Sequence, residues 1–451
     1  MKIDPTIFKA YDIRGIYPKN INEEIAYKIA QGYANYCRPK GKVLVGRDVR
    51  IHSQKLQEAV INGLSDAGVN VCDVGLITTD MYYFGVGFYN FSGGIQVTAS
   101  HNPPEWNGFK MVRENVAPIT QETGINQIKR FVETNKKIRR KMGQVEKKDL
   151  TDDYLLYVLK WLEGVKISPL KVVINPNFGY AGIIFEKLVH KGKLPIELIK
   201  LNCEPDGTFP KGRPDPFVPE NRPEFVQLVK KSNSDLGIAW DADADRVFFC
   251  TEGGVFVEPY YINTLFIKIM LKKYPKQKII YDPRYTWALR DSILENGGIP
   301  VVCRVGHSFI KEKMRSENAV FAGESSGHTY YRDFWYADSG MIPVMQILRI
   351  LSLTKKKLSD LIFPIMKKYH ISGEINSEVR DKEKVIKNLS ELYTDGKQDQ
   401  LDGLTVEYEN FRFNVRPSNT EPLLRLNIEG KSKEIVNRKK EEILSVIRNF
   451  S

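Results

Sequence analysis

Three segments of the chain share a pattern of a basic residue, a short β-branched apolar run and a polar turn. They are residues 42–48, 171–177 and 278–284. Because each apolar run is short and bounded by turn formers, it predicts a buried strand. A helical pattern follows each one, at residues 54–67, 181–191 and 287–296. Strand–helix–strand units of this kind predict parallel strands covered by helices.

Each repeat supplies a second strand that leads into a polar loop. These second strands are predicted at residues 94–100, 236–241 and 319–324. Ligands of such folds bind at the carboxyl ends of strands, so three loops of this type favour one composite site. Beyond about residue 366 the pattern changes to short alternating strands, at residues 371–379, 403–408, 411–415 and 423–429.

The predicted fold is therefore three similar mixed-sheet α/β domains and a smaller C-terminal α+β domain, around a central active-site cleft. The predicted domain boundaries are residues 1–146, 147–255, 256–366 and 367–451.

Composition narrows the class of protein. With 42% hydrophobic and 27% charged residues over 451 positions, the chain is typical of a globular protein. The net charge of +12 favours anionic partners. Nucleic acid is not expected, because the most basic run, residues 129–148, has one aromatic residue, Phe131, and lacks a stacking platform.

The chain shows no targeting or membrane signal. The longest uncharged window, residues 81–104, is interrupted by glycines and amides, which excludes a membrane span. The first eleven residues lack the apolar core of a signal peptide, so a cytoplasmic protein is expected. Five scattered cysteines argue against disulfides and a zinc site.

The loop at residues 98–104 presents a serine beside two prolines. Ser100 and His101 stand where the backbone is stiffest, so the hydroxyl is held outward; a Pro-Pro turn capped by Asn102 is the structural alternative. Lys110 follows a tight turn that directs its ammonium towards Ser100, unless it is a surface lysine.

Three acids alternate with alanine in the second loop. In an extended segment Asp241, Asp243 and Asp245 share one face, and three carboxylates this close repel one another unless a cation lies between them. Oxygen ligands without His or Cys favour Mg²⁺ over zinc. An EF-hand is excluded because Arg246 stands where its loop needs glycine. A metal-free acidic loop is the alternative.

Two further loops carry polar side chains suited to a phosphorylated sugar. Glu324, Ser326 and His328 can bind sugar hydroxyls, although a polar hairpin explains them equally well. The last loop can grip a phosphate dianion, the alternative being a surface loop. Its residues are Arg416, Ser418, Asn419, Thr420 and Arg425. Near the start, Arg14 is either another phosphate donor or an ion-pair partner of Asp12.

The motifs TASHNP, DADADR, GESSGH and RPSNTEP occur in this order, supported by YDIRG and PDGTFP. Together they resemble the α-D-phosphohexomutase family over the whole chain, and its phosphomannomutase/phosphoglucomutase branch most closely. The resemblance implies reversible phosphoryl transfer between C1 and C6 of a hexose monophosphate, mannose or glucose. It proceeds through a phosphoserine enzyme and a hexose 1,6-bisphosphate, which also activates the enzyme.

The resemblance also implies residue roles. Ser100 carries the phosphoryl group and joins Asp241, Asp243 and Asp245 around Mg²⁺. Catalytic roles fall to Lys110 as general acid/base, His101, His307 and Arg246. Substrate binding falls to Arg14, Arg284, Glu324, Ser326, His328, Arg416, Ser418, Asn419, Thr420 and Arg425.

Two departures from the family pattern stand out. Ala242 and Ala244 replace glycines that are common in the metal loop, and we expect the loop to be extended and to tolerate them. Arg284 stands where relatives often have lysine, so its contact with the sugar is less secure.

The sequence leaves two other enzymatic functions open. Phosphoglucosamine mutase is the nearest one, and a metal-dependent phosphatase is the one from a different class. A monomer or weak homodimer with a hinge near residue 366 is expected.

Overall fold

The computed structural model describes residues 3–134, 136–418 and 423–448, which fold as two compact units. The first unit combines Met1–Val257 with Ser326–Leu358, and the second combines Glu258–Ser325 with Ser359–Ser451.

The first α/β region of the chain forms a six-stranded mixed sheet. Its elements are β1 (Ile13–Ile16), α1 (Glu23–Cys37), β2 (Val43–Arg47), α2 (Ser53–Asp66), β3 (Val71–Leu76), α3 (Thr79–Phe88), β4 (Gly93–Val97), β5 (Trp106–Arg113), α4 (Asn126–Glu133) and β6 (Val145–Lys147). The strand order is β1-β5-β4-β2-β3-β6. Strands β2, β3, β4 and β6 run parallel, whereas β5 is antiparallel to β4 and β1. The loop between β4 and β5 is the predicted serine loop.

The second region repeats this plan with a five-stranded sheet. Its elements are α5 (Thr151–Leu159), β7 (Leu170–Asn175), α6 (Ala181–Lys191), β8 (Ile196–Lys200), α7 (Pro223–Lys231), β9 (Leu236–Trp240), β10 (Val247–Thr251) and β11 (Phe256–Val257). The order β11-β10-β9-β7-β8 places the buried strand β9 at the centre. The acidic loop joins β9 to its antiparallel partner β10.

The third region is divided between the two units. Residues 258–325 form α8 (Pro259–Lys273), β12 (Lys278–Tyr281), α9 (Trp287–Glu295), β13 (Ile299–Val302), α10 (His307–Glu317) and β14 (Phe321–Gly323) in the second unit. Strand β12 runs parallel to β13 and β14. In the first unit lie the antiparallel pair β15 (Thr329–Tyr331) and β16 (Ala337–Asp338) and the helix α11 (Ile342–Thr354).

The C-terminal region is an antiparallel sheet with helices. It contains α12 (Leu358–Lys368), β17 (His370–Ile371), β18 (Ile375–Glu378), α13 (Lys382–Leu392), β19 (Lys397–Asp399), β20 (Leu404–Glu407), β21 (Phe411–Pro417), β22 (Leu423–Gly430) and α14 (Lys433–Arg448). The prediction of one strand over residues 371–379 is wrong, because residues 372–374 separate β17 from β18. Both strands pair with β22.

The predicted fold class is confirmed, and helix α6 has the predicted bounds. Over the described ranges, none of the helices combines the length and apolar character needed to cross a bilayer.

Candidate active site

The serine loop is held in one conformation by its backbone. Ser100 has a φ of 49°, in the left-handed region that non-glycine residues rarely occupy. Its amide donates to Thr98 Oγ1 at 2.9 Å, and its side chain is buried. A residue kept in this region by its surroundings is a common feature of functional sites.

Arg50 is the residue that secures this loop, and sequence reasoning missed it. Its buried guanidinium donates to the carbonyl oxygens of Ser100 at 2.8 Å and Asn102 at 2.6 Å. It also donates to the carbonyls of Pro103 at 2.6 Å and Trp106 at 2.9 Å. One side chain therefore ties four points of the loop. No local signal marks Arg50, because it lies fifty positions upstream of Ser100.

The Ser100 hydroxyl lies between an acid and an imidazole. Ser100 Oγ donates to Asp241 Oδ2 at 3.2 Å and lies 3.0 Å from His101 Nδ1. Burial lowers the pKa of His101 well below its usual value, and the charges of Arg246 and Arg213 lower it further. His101 is therefore a neutral imidazole at physiological pH.

The three predicted metal ligands converge. Asp241, Asp243 and Asp245 are buried, and each offers a carboxylate oxygen within 4.8 Å of the other two. Asp243 Oδ2 also accepts hydrogen bonds from Thr79 Oγ1 at 2.7 Å and Thr98 Oγ1 at 3.1 Å. Its other oxygen, Oδ1, has no hydrogen-bond donor among the described residues.

These residues fit a divalent ion. Mg²⁺ selects hard oxygen ligands, and a buried carboxylate oxygen without a donor is suited to one.

The expectation of an extended acidic loop is wrong. The amide of Ala244 donates to the carbonyl of Asp241 at 3.1 Å, which closes a turn, and Ala244 has a φ of 59°. A turn, rather than strand alternation, therefore brings the acids together. In the left-handed region an alanine costs about 1 kcal/mol relative to glycine.

Cationic side chains offset the three acids. Lys110 Nζ lies 2.8 Å from Asp243 Oδ2 and also contacts Asp245 Oδ2. Burial alone would lower the pKa of Lys110, but the two acids outweigh it and raise the pKa above its usual value. Lys110 is thus an ammonium, and acting as a base requires that it leave these acids. The ammonium was expected to point at Ser100, whereas it contacts the acids instead.

Arg246 forms an ion pair with Asp241, the third acid of the trio. Its Nε donates to Asp241 Oδ2 at 2.9 Å, and its Nη2 lies 3.1 Å from Asp215 Oδ1. Burial raises the pKa of Asp241 to about 8 despite Arg246. Burial alone would also raise the pKa of Asp245, but Lys110 and His328 hold it well below the usual value.

The loop at residues 204–222 contributes two charged residues that sequence reasoning did not single out. Arg213 Nε donates to the carbonyl of His101 at 3.1 Å, and Asp215 pairs with Arg246. The only sequence signal was the PDGTFP motif, which lies just upstream of both.

Arg14 forms the ion pair with Asp12 that its motif predicts, and its role as a phosphate donor stays a prediction. Its Nε pairs with Asp12 at 2.7 Å, and its Nη1 donates to Asn102 Oδ1 at 2.6 Å. The ion pair thus holds a cation beside the serine loop.

The GESSGH motif is divided between the units. Ser326 and His328 belong to the first unit, where His328 Nε2 lies 3.5 Å from Asp245 Oδ1 and Ser326 Oγ lies 3.0 Å from His328 Nδ1. Glu324 belongs to the second unit, where its Oε1 accepts from Arg284 at 3.2 Å. Arg284 is held in addition by Asp282, at 3.0 Å.

Two of the predicted phosphate residues lie on adjacent strands of the second unit. Arg416 on β21 and Arg425 on β22 are direct cross-strand partners. Like charges in this position repel each other. Glu374, which sequence reasoning missed, lies 3.5 Å from Arg416 and 3.2 Å from Arg425. It also lies 3.7 Å from Arg284.

The amide of Ser418 donates to the carbonyl of Leu423 at 2.8 Å, which closes the strand end. Asn419 and Thr420 lie outside the described residues. His307 is the first residue of α10 in this unit, and its catalytic role stays a prediction.

Comparisons with known proteins identify the family of the chain. Models of the phosphoglucomutase/phosphomannomutase family match four stretches: alpha/beta/alpha domain I at residues 5–139, domain II at 152–254, domain III at 258–369 and the C-terminal domain at 374–446. A phosphomannomutase of Vibrio cholerae is 41% identical over 99% of this chain and 99% of its own length.

The chain belongs to the phosphoglucomutase/phosphomannomutase family.

Solved structures of known proteins show the same fold. A phosphoglucomutase/phosphomannomutase family protein of Burkholderia thailandensis has a TM-score of 0.89 and 32% identity, over 99% of this chain and 98% of that one. An N-acetylphosphoglucosamine mutase of Aspergillus fumigatus, solved with GlcNAc-6P and magnesium, has a TM-score of 0.60. At 13% identity over 99% of this chain and 96% of that one, it supports the fold alone.

Proposed function

We propose that this family member interconverts hexose 1-phosphate and hexose 6-phosphate through phosphoserine at Ser100. One observation carries the proposal: the Ser100 hydroxyl donates to Asp241, a member of a buried trio of acids whose oxygens lie within 4.8 Å of one another. A nucleophile next to a divalent-ion site is the arrangement that phosphoryl transfer needs, since that reaction depends on positioning and charge neutralisation.

The transfer itself is a substitution at phosphorus. The sugar hydroxyl oxygen forms a bond to the phosphorus held on Ser100, and the bond between phosphorus and Ser100 Oγ breaks. The hydroxyl proton passes to a nearby base, Ser100 Oγ takes up a proton as it leaves, and the product is a hexose 1,6-bisphosphate. The reverse transfer, after the bisphosphate has turned end for end, returns the other phosphoryl group to Ser100.

Residues of the first unit serve this step in different ways. Arg50 holds the Ser100 loop, and Arg246 places a fixed positive charge beside it. Neutral His101, 3.0 Å from Ser100 Oγ, can accept a proton. We keep Lys110 as the general acid/base, which requires it to leave Asp243 and Asp245. Mg²⁺ held by the three aspartates and Ser100 would supply charge neutralisation for the transferring group.

Residues of the second unit bind the part of the substrate that does not react. Arg416 and Arg425 offer planar groups of donors, which suit a phosphate in either orientation of the sugar. Glu324 can accept from sugar hydroxyls, and Arg284 holds it in place. The proposed binding set also includes Ser418, Asn419 and Thr420 of the second unit. From the first unit it includes Arg14, Ser326 and His328.

A substrate test addresses the proposal directly. Glucose 1-phosphate, mannose 1-phosphate and glucosamine 1-phosphate are offered separately with Mg²⁺ and a trace of the bisphosphate. Formation of the 6-phosphate from mannose or glucose 1-phosphate is the expected result. Preference for glucosamine 1-phosphate would indicate the phosphoglucosamine alternative. Release of inorganic phosphate without isomerised sugar would contradict mutase activity and favour a phosphatase.

We propose a cytoplasmic monomer or weak homodimer with the domain boundaries and the hinge near residue 366 given above. Gel filtration with light scattering checks the oligomeric state, and a concentration-independent tetramer would contradict it.

A further inference from the structure

Glu374 occupies a fixed break in the C-terminal sheet. It follows Gly373, which has a φ of 73°, in the segment that separates β17 from β18. The break is secured because the amide of Ser372 donates to the carbonyl of Ile428, while the amide of Ile428 donates to Ser372 Oγ at 2.9 Å. The Glu374 side chain is therefore held at a defined place, with only 7% of its surface exposed.

The carboxylate of Glu374 is shared among three guanidinium groups. Its distances are 3.2 Å to Arg425, 3.5 Å to Arg416 and 3.7 Å to Arg284. Charge-assisted hydrogen bonds are normally shorter, at roughly 2.7–2.9 Å. By comparison, Asp282 accepts from both Nε and Nη2 of Arg284 at 3.0 Å. Glu374 therefore divides its charge among three arginines, with a hydrogen bond of 3.2 Å to Arg425 and longer contacts to Arg416 and Arg284.

The arginines need a negative charge at this place. Arg284 and Arg416 are almost completely buried, and Arg416 is the cross-strand neighbour of Arg425. Burial and the charge of Arg284 lower the pKa of Arg416, whereas Glu374 opposes this effect. Asp282 and Glu324 offset Arg284, and the charge of Asp402 acts on Arg416. Without Glu374, however, the cross-strand pair Arg416 and Arg425 would lose the acid that contacts both of them.

We propose that Glu374 is a positioning residue that competes with the substrate's phosphate for this arginine cluster. The inference rests on the proposed function, since it assumes that Arg416 and Arg425 bind phosphate. Glu374 keeps the arginines together between turnovers, and a phosphate dianion displaces it because it brings more charge and more acceptor oxygens. The competition weakens binding of the phosphate and so favours release of product and reorientation of the bisphosphate.

The test is the affinity of the full-length protein for glucose 6-phosphate, measured by titration calorimetry with magnesium chelated. Glu374→Gln keeps the shape and removes the charge. If Glu374 occupies the cluster in most molecules, removing this competition should lower Kd about three- to tenfold. Glu374→Asp withdraws the charge by one methylene and should give an intermediate Kd. Glu409→Gln, at a side chain that is 96% exposed in the same region, is the matched control and should leave Kd unchanged.

A purely structural role of Glu374 predicts that neither variant binds glucose 6-phosphate more tightly than the wild type. If Glu374 only supports the fold of the cluster, both variants weaken binding or leave it unchanged, and either result overturns the proposal. In an Arg416→Ala background the effect of Glu374→Gln should become small, and a full effect there would also contradict it. The ranking of the Kd values of the variants tests this inference, whereas turnover of the wild-type enzyme tests the proposed function.

Discussion

The two charged centres of the molecule are built with opposite polarity. In the first unit three acids meet on a turn, and Lys110 and Arg246 offset them at hydrogen-bond distance. In the second unit three arginines meet, and Glu374 lies 3.2 to 3.7 Å from all three, while Asp282 and Glu324 also pair with Arg284. One centre is suited to a cation and the other to an anion, which is what a metal-assisted reaction on a phosphorylated sugar requires.

The two centres differ in how closely the oppositely charged side chains contact the cluster that they neutralise. Lys110 and Arg246 form close ion pairs with the acids, so a divalent ion must compete with strong partners. Glu374 is spread over three partners at longer distances, so a phosphate dianion replaces it more easily. The comparison predicts that removing the nucleophile or an acid has larger effects than changing the arginine cluster.

The largest effect is expected for Ser100→Ala. Because the Oγ nucleophile is lost, phosphoryl transfer should fall by at least about a thousandfold. Intact-protein mass spectrometry after incubation with the bisphosphate should show no phosphoryl adduct on the variant. Ser316→Ala, at an exposed serine, serves as the control. Transfer at the wild-type rate in Ser100→Ala would exclude Ser100 as the carrier.

The second-largest effect is expected for Asp243→Asn, which should weaken the binding of Mg²⁺. Removing one negative charge from the trio should raise the Mg²⁺ concentration for half-maximal activity at least about tenfold. Activity titrations with Mg²⁺ measure it. Glu252→Gln is the control, because Glu252 is an acid that follows the acidic loop in sequence and lies outside the trio. An unchanged Mg²⁺ requirement in Asp243→Asn would show that the ion binds elsewhere.

Arg416→Ala should act mainly on substrate binding. Loss of a charge-assisted contact with phosphate corresponds to roughly a ten- to hundredfold increase in KM. The value of kcat should change less, since the phosphate concerned does not react. Steady-state kinetics separate the two constants, and Arg438→Ala on the exposed face of α14 is the control. A fall in kcat with unchanged KM would refute the binding role.

The smallest effect concerns the backbone of the acidic loop. Ala242 and Ala244 are both buried, but only Ala244 has positive φ. Replacing either with glycine removes the same methyl group and adds the same freedom to the unfolded chain. Ala244→Gly should therefore exceed Ala242→Gly in free energy of unfolding by about 1–2 kcal/mol, measured in urea. Equal values would mean that the turn carries no strain.

Local pattern predicted much of the fold. The three β-branched runs became β2, β7 and β12, and the loops that follow the second strands carry the serine, the acids and Glu324. These predictions hold because strand length, turn formers and side-chain type are properties of short segments. The acidic loop shows the limit of this reasoning. Spacing predicted that the carboxylates converge, which is confirmed, but the cause was a turn at Ala244.

The residues that escaped prediction act at long range. Arg50 reaches a loop fifty positions away, Asp215 pairs with Arg246, and Glu374 meets arginines from three separate segments. None of the three carries a local pattern that distinguishes it from a surface charge. Their meaning appears only when folding removes them from water.

The amino-acid sequence by itself determined which chemical groups the enzyme has, in what order, and at which strand ends they stand. Only the tertiary structure decided which charges neutralise which, because a buried ion must find an opposite charge wherever the chain brings one near. The division of GESSGH, with Glu324 beside Arg284 and His328 beside Asp245, shows this most directly.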